Sequence, residues 1–182
     1  RSSDLQISGS AISSHKNIQL DPLELENIQK DIAYSMIRRK SFNDARVLKK
    51  WQVIIDATEL DEGYQKKNDY YLSRCYNRGK ADKFMKYHRS VLEAKLYLGN
   101  DFVCSIASEP IENTEEYINQ SDEKIKQDCE SKAFVRLAKK IKKSFPRLPI
   151  IITADGLYVS QKVIQTCTDN GWDYIIRYKE EI

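Results

Sequence analysis

Two aspartates follow apolar, β-branched segments and occupy corresponding places in the sequence. Asp56 comes directly after Trp51–Ile55, and Asp155 comes directly after Pro149–Ala154. Such segments predict strands buried on both faces, and ligands of open α/β sheets collect at the carboxyl ends of central strands. If the two strands are parallel neighbours, the carboxylates converge and need a cation or a shared proton between them. Oxygen ligands of this kind suit Mg²⁺, and two such ions can promote phosphodiester chemistry.

Each aspartate also has a purely structural interpretation. Aspartate is a preferred helix N-cap and turn residue, and Asp155-Gly156 is typical of a tight turn. Either aspartate alone fits that interpretation as well as a functional one. The shared site is favoured by the joint pattern, in which both aspartates follow the appropriate strands.

The surrounding sequence predicts the elements that position these aspartates. Apolar segments predict five strands: Trp51–Asp56, Val91–Leu98, Phe102–Ala107, Pro149–Thr153 and Trp172–Arg177. Helices are predicted over Asn113–Lys143 and Val159–Asn170, so the order is βββαβαβ. The last two strands each follow a helix, as crossover units require. We therefore predict an α/β fold, with a mixed five-stranded sheet flanked by helices.

The remaining segments divide the chain into two parts. Residues 1–48 are predicted to form an irregular and helical segment, in which Asp21 and Pro22 begin a helix. Residues 49–182 are predicted to form the core. Within the core, residues 57–88 are polar and aromatic and are predicted to form a long loop, whereas Gly99–Asp101 predicts a hairpin turn.

Composition excludes several classes of protein. The chain has 41% hydrophobic and 31% charged residues and a net charge of +3, which is typical of a globular domain and too weakly basic to indicate nucleic-acid binding by itself. Its four cysteines form no CxxC pair, which argues against zinc and disulfides. The sequence shows no signal peptide and no apolar run that could cross a membrane, so we expect a cytoplasmic protein.

Several segments resemble one family of enzymes. Val53–Leu60 and Ile150–Tyr158 look like the first- and second-aspartate motifs of DDE transposases from bacterial insertion sequences. The likeness covers roughly residues 50–180 and also includes Tyr87–Lys95, Gln127–Glu130 and Trp172–Lys179. The resemblance implies a ribonuclease H-like catalytic core in which Asp56 and Asp155 bind Mg²⁺ or Mn²⁺. It also implies DNA partners (transposon ends and target), a homo-oligomeric synaptic complex and a nucleoid-associated protein of the bacterial cytoplasm.

The third acid of that family is a glutamate on a helix after the fifth strand. Glu180 and Glu181 follow the predicted fifth strand too closely to match it. We therefore expect a core truncated before its third acid, with little activity alone. Glu130 is the alternative third acid, because ribonuclease H itself uses a glutamate on its first core helix. A first-turn glutamate is also favoured simply by the helix dipole, and the neighbouring Asp128 is predicted to be exposed.

Candidates for DNA contact lie at the end of the predicted loop and directly after it. His88, Arg89 and Lys86 are the specific candidates, within a segment over 64–89 where basic and aromatic residues alternate. Such interleaving suits phosphate contact and base stacking, although a solvated loop has the same composition.

We thus predict metal-dependent cleavage and transfer of DNA strands at transposon ends. Two alternatives remain open. One is a ribonuclease H-like nuclease that uses Glu130 as its third ligand. The other is a non-catalytic nucleic-acid- or protein-binding relative, in which neither aspartate matters.

Overall fold

The computed structural model describes residues 21–114 and 127–177. These residues form a mixed six-stranded sheet with flanking helices, which confirms the α/β class. The α-helices are α1 (Pro22–Arg38), α2 (Glu130–Ser144) and α3 (Gln161–Asp169), and short 3₁₀ helices span Lys40–Ala45 and Gly156–Tyr158. The strands are β1 (Trp51–Gly63), β2 (Leu72–Tyr76), β3 (Phe84–Tyr97), β4 (Val103–Ile111), β5 (Ile150–Ala154) and β6 (Asp173–Ile176).

Strand β3 organises one half of the sheet. It pairs with β1 along one edge and, along its other edge, with β2 and then β4, always antiparallel. Strand β5 pairs with β1 in parallel, and β6 pairs with β5 in parallel. In the described part of the chain, β3 alone therefore runs against the other strands.

The core lies between one face of the sheet and the helices. Val53 and Ile55 of β1 belong to the same buried cluster as Phe134 and Leu137 of α2. Because side chains alternate along a strand, the intervening residues of β1 lie on the other face. We call this other face the open face, because its side chains at the centre of the sheet, such as Ile54 and Lys95, are only half-buried.

Local signals in the sequence place several element ends correctly. Asp21 caps α1 by accepting a 2.9 Å hydrogen bond from the Leu23 amide, with proline at the start of the helix. The predicted hairpin turn is confirmed, since the Phe102 amide donates to the Gly99 carbonyl over 2.9 Å. Gly171, predicted to end the last helix, has φ +70, a left-handed conformation that glycine adopts at little cost.

The prediction of five strands and a long loop over 57–88 is wrong. β1 continues to Gly63, β2 forms inside the predicted loop, and β3 begins at Phe84. We call this extension the β-arm: residues 57–76 together with the turn 77–83 and residues 84–90. Its strands are polar and lack β-branched runs, because antiparallel pairing rather than burial on both faces supports them.

Other predicted boundaries also differ. β4 begins at Val103 and continues to Ile111, beyond the predicted end at Ala107. Helix α2 begins at Glu130. Residues 113–114, predicted to start this helix, are not helical. The predicted helical residues 115–126 lie outside the described part. No helix among the described residues is long and apolar enough to span a membrane.

Candidate functional site

The parallel pairing of β1 with β5 brings the two predicted aspartates to neighbouring positions. Ile54 pairs with Thr153, so the same register, continued by two residues, sets Asp56 beside Asp155. Adjacent strands are about 4.8 Å apart. Asp155 lies one residue beyond the end of β5, whereas Asp56 lies within β1, because that strand continues into the β-arm.

Asp155 also performs the structural role that was the alternative to a functional one. Its Oδ1 accepts a 2.9 Å hydrogen bond from the Leu157 amide and caps the short 3₁₀ helix. The residue is exposed, and this bond uses only one carboxylate oxygen. Capping therefore orients the carboxylate and leaves its second oxygen able to bind a cation.

Asp56 lies on the open face beside two charged residues of β3. Its cross-strand partner is Glu93, and Lys95 stands two residues further along the same face. The Lys95 Nζ lies 3.7 Å from Asp56 Oδ2 and 3.4 Å from Glu93 Oε2. Glu93 and Lys95 could not be recognised from the sequence as part of a site, since the face on which they lie depends on the register between β1 and β3.

Glu130 lies at the first turn of α2, on the helix-covered side of the sheet, and is half-buried. Strand alternation puts Asp56 on the opposite face. In the ranges 21–114 and 127–177, no three or more His, Cys, Asp or Glu side chains are grouped so that they could hold a metal ion. Within the described residues, Glu130 and the two aspartates therefore do not form a compact ligand set.

Tyr158 lies within electrostatic reach of all three carboxylates. Burial raises the pKa of its hydroxyl well above the usual value, and the charges of Glu130, Asp155 and Asp56 raise this pKa further. The hydroxyl makes no well-formed hydrogen bond within the described residues, although the Glu130 carboxylate lies beside it. Tyr158 therefore stays protonated and can act as a hydrogen-bond donor between Glu130 and the aspartates.

Asp128, predicted to be exposed, is buried, and this prediction is wrong. Its side chain is 0% exposed and accepts hydrogen bonds of 3.2 and 2.7 Å from the Arg136 guanidinium. Arg136 also donates to Glu109 over 2.5 Å. The hydrogen bond with Asp128, followed by the one with Glu109, raises the pKa of Arg136 above its usual range. Asp128 therefore anchors α2 and is not available as a ligand.

The three candidates for DNA contact are not free surface groups. His88 is 7% exposed, and its Nδ1 has no hydrogen-bond partner in the described part. Burial and the charge of Arg74 lower the His88 pKa, so the ring is neutral near pH 7. Lys86 pairs with Glu62 over 2.5 Å and Arg89 with Glu112 over 2.6 Å. That these residues contact DNA stays a prediction, and the structure shows no surplus charge on them.

None of the protein-family models, curated proteins or solved structures with which the chain was compared matches it. The resemblance to DDE transposases therefore stays a prediction from the residues themselves.

Proposed function

We propose that the chain is the ribonuclease H-like core of a DDE transposase, which cleaves and joins DNA strands with divalent metal. The observation that carries this proposal is the parallel register of β1 and β5, which ends at the pair Ile54–Thr153 and, continued by two residues, sets Asp56 beside Asp155. Both residues are exposed, so DNA could approach them.

The arrangement of the strands supports the proposed fold. If β2 is set aside as part of the β-arm, the strands lie in the order β4-β3-β1-β5-β6. With β3 alone reversed, this is the order expected of a ribonuclease H-like sheet. The first aspartate then lies on the central strand and the second follows the next strand, as the resemblance requires.

The donor set fits the implied metal. Carboxylate oxygens are preferred ligands of Mg²⁺ and Mn²⁺, and Asp56 and Asp155 would hold such ions from two adjacent strands. A bound pair of ions would activate the attacking hydroxyl and stabilise the leaving oxygen. The residues themselves orient the site: Asp155 through its capping bond to Leu157, and Asp56 through its place in the β1–β3 ladder.

The nuclease alternative depends on Glu130 joining the same site. Its support is that, besides burial, the charges of Glu130, Asp155 and Asp56 all raise the pKa of the Tyr158 hydroxyl. Against it stands the alternation along β1, which directs Asp56 to the open face, away from the helix that carries Glu130. We therefore favour the transposase, whose third acid is not Glu130.

Mn²⁺ binding by the 182-residue chain tests the proposal. We expect Asp56→Asn and Asp155→Asn each to weaken Mn²⁺ binding by at least about tenfold, since each removes a ligand. The matched control is Asp173→Asn, which alters an exposed aspartate on β6 that pairs with Lys50 instead. Electron paramagnetic resonance of free Mn²⁺ would measure the affinities.

The outcomes separate the three hypotheses. Under the transposase proposal, Glu130→Gln binds Mn²⁺ like the unmodified chain, whereas under the nuclease alternative it binds as weakly as the two aspartate variants. If neither Asp56→Asn nor Asp155→Asn changes the affinity, the shared metal site is wrong. The non-catalytic binding relative would then be favoured.

A further inference from the structure

We propose that the turn at the tip of the β-arm, residues 77–83, binds the sugar–phosphate backbone of duplex DNA through Arg78, Lys80 and Lys83. The identification of DNA as the source of the phosphates rests on the proposed function. Among the described residues of the β-arm, these three differ from the other cations in charge balance, because each of the others lies in a salt bridge.

The cations below the tip are compensated by acids. Lys86 pairs with Glu62 and Arg89 with Glu112, and the remaining pairs are Lys66 with Asp69, Lys67 with Asp61, and Arg74 with Glu59. These ion pairs leave little net charge to attract an anion. The predicted interleaving of basic and aromatic residues over 64–89 is therefore, for most of its length, a network within the protein.

The cations of the tip are different. Arg78, Lys80 and Lys83 are exposed, and within the described ranges none of them forms a salt bridge. The acid of this turn, Asp82, accepts a 2.6 Å hydrogen bond from the Asn77 amide. The tip therefore presents a cluster of positive charge to solvent, and clustered Lys and Arg side chains are what duplex DNA attracts when its counterions are released.

The tip rests on a base of packed aromatic rings. Tyr76 and Phe84, which pair across the last rung of β2 and β3, stack with ring centroids 5.1 Å apart. Tyr64 contacts Phe84 at 5.9 Å. The Lys86 ammonium lies 5.7 Å from the Tyr64 ring centroid and 5.5 Å from that of Tyr76. An aromatic base of this kind reduces the conformational freedom that the tip would lose on binding DNA.

The length of the β-arm suits a duplex that also occupies the aspartate site. β1 runs from Asp56 into the β-arm, so the tip projects from the same edge of the sheet. Glu93 pairs with Asp56, and Phe84 stands nine residues before Glu93 on β3. At about 3.3 Å per residue, the tip lies roughly 30 Å beyond Asp56. This span is close to one helical turn of B-DNA, about 34 Å, so one duplex could reach both places on the same side.

The salt dependence of DNA binding tests the inference. The probe is a mixed-sequence duplex of about three helical turns, bound to the 182-residue chain and followed by fluorescence anisotropy over a range of salt concentrations. In the variant that combines Arg78→Ala, Lys80→Ala and Lys83→Ala, we expect weaker binding. The slope of log affinity against log salt should fall by about 0.9 for each lost phosphate contact, or roughly 2 to 3 in all.

A control variant with the same change in charge combines Arg147→Ala, Lys139→Ala and Lys143→Ala. These residues are exposed, lie near the carboxyl end of α2 and beyond it, and belong to the opposite edge of the sheet. We expect this variant to keep the slope of the unmodified chain. All three changes at the tip fall in an exposed turn, and circular dichroism with a melting curve would verify that both variants fold.

The inference is overturned if the tip variant keeps the salt slope of the unmodified chain. It is likewise overturned if the salt slope of the control variant falls by as much as that of the tip variant, or by more. It is also overturned if the unmodified chain shows no salt-dependent binding to the duplex. These outcomes are distinct from a failure of the proposed function, which is decided by Mn²⁺ binding at Asp56 and Asp155. If the salt slope depends on the tip but Mn²⁺ does not bind at Asp56 and Asp155, the β-arm still contacts nucleic acid, whereas the transposase proposal is wrong.

Discussion

At the scale of single residues, the most informative side chain of the candidate site is Lys95. Its ammonium lies between the carboxylates of Asp56 and Glu93 on the open face, and 27% of its side chain is exposed. Like charges on adjacent strands repel one another, and a cation between them relieves that repulsion. Lys95 therefore occupies the electrostatic position that a divalent ion at Asp56 would compete for.

This competition predicts that Lys95→Met binds Mn²⁺ more tightly. The Asp56 side chain is 62% exposed, and an exposed ion pair contributes up to about 1 kcal/mol, so we expect a gain of roughly two- to fivefold. Lys95→Arg, which keeps the charge, should bind Mn²⁺ like the unmodified chain. The control is Lys50→Met, which removes a lysine that pairs with Asp173 at the other end of β1. Isothermal titration would measure the affinities, and a loss of affinity in Lys95→Met would show that Lys95 supports the site instead.

At the scale of elements, the start of α2 is fixed by polar side chains and not by a helix cap. Cys129, the N-cap residue, makes no side-chain capping bond. Instead, the Gln127 side chain bonds to the backbone of Ser73 on β2, accepting from its amide over 2.8 Å and donating to its carbonyl over 2.6 Å. Arg136, about two helical turns further along the chain, then holds Asp128. The Gln127 bonds tie the start of α2, and with it Glu130, to β2 of the β-arm, and Arg136 ties the helix to β4 through Glu109 and Pro110.

The buried ion pair makes Arg136→Met a sharp test of this anchoring. The variant keeps an unbranched side chain but leaves the Asp128 carboxylate buried without its cation. We expect the free energy of unfolding to fall by about 3 kcal/mol or more, as when one partner of a buried pair is removed. Urea denaturation with an unchanged m-value would measure this loss.

The matched control for Arg136→Met is Lys139→Met, an exposed position on the same helix. Its effect should remain within about 0.5 kcal/mol. If Arg136→Met cost no more than this control, α2 would be held by its apolar contacts alone, and Asp128 would not need a cation.

At the scale of the whole molecule, the sequence predicted the strands whose burial is visible as an apolar run. It did not predict the segments whose structure depends on the register between strands. The runs Val53–Ile55 and Ile150–Ile152 predicted central strands, because a strand that is apolar at every position is typical of the middle of a sheet. Ile150–Ile152 is buried throughout, whereas Ile54 on the open face is only half-buried. Residues 57–63 of β1 lack that signal, since their pairing with β3 is visible only in three dimensions. The burial of Asp128 was missed for the same reason: it depends on a guanidinium eight residues later that reaches back toward it.

The candidate site shows the same division. Asp56 and Asp155 were predictable because each follows a recognisable apolar run, although β1 continues beyond Asp56. Glu93 and Lys95 were not, because an alternating strand such as β3 does not reveal which face will meet a given partner. Sequence alone therefore predicts the residues that follow apolar runs better than the side chains that face them from the middle of a neighbouring strand.

Strands β2, β4 and β1 differ in how deeply they are buried, and this difference predicts that the molecule does not open as one unit. Within the described residues, β2 and β4 each form a ladder with β3 alone, so each has one edge without a partner strand there. β4 is covered by α1 and α2, whereas only Leu72 of β2 is buried. Local opening costs least where few apolar contacts are lost. We therefore expect backbone amides of β2 to exchange with solvent much faster than those of β4, and both to exchange faster than those at Val53.

Native-state hydrogen exchange in low concentrations of urea would measure this order. The exchange of β2 should be nearly independent of urea, because a local opening exposes little surface, whereas exchange at Val53 should follow global unfolding. β4 is the internal control, since it has the same edge position but a helix-covered face. Equal protection in β2 and β4 would mean that the ion pairs and stacked rings of the β-arm hold it as firmly as a core. In that case the tip would meet DNA as a fixed surface, whereas a locally opening β-arm could adjust to the duplex at a cost in affinity.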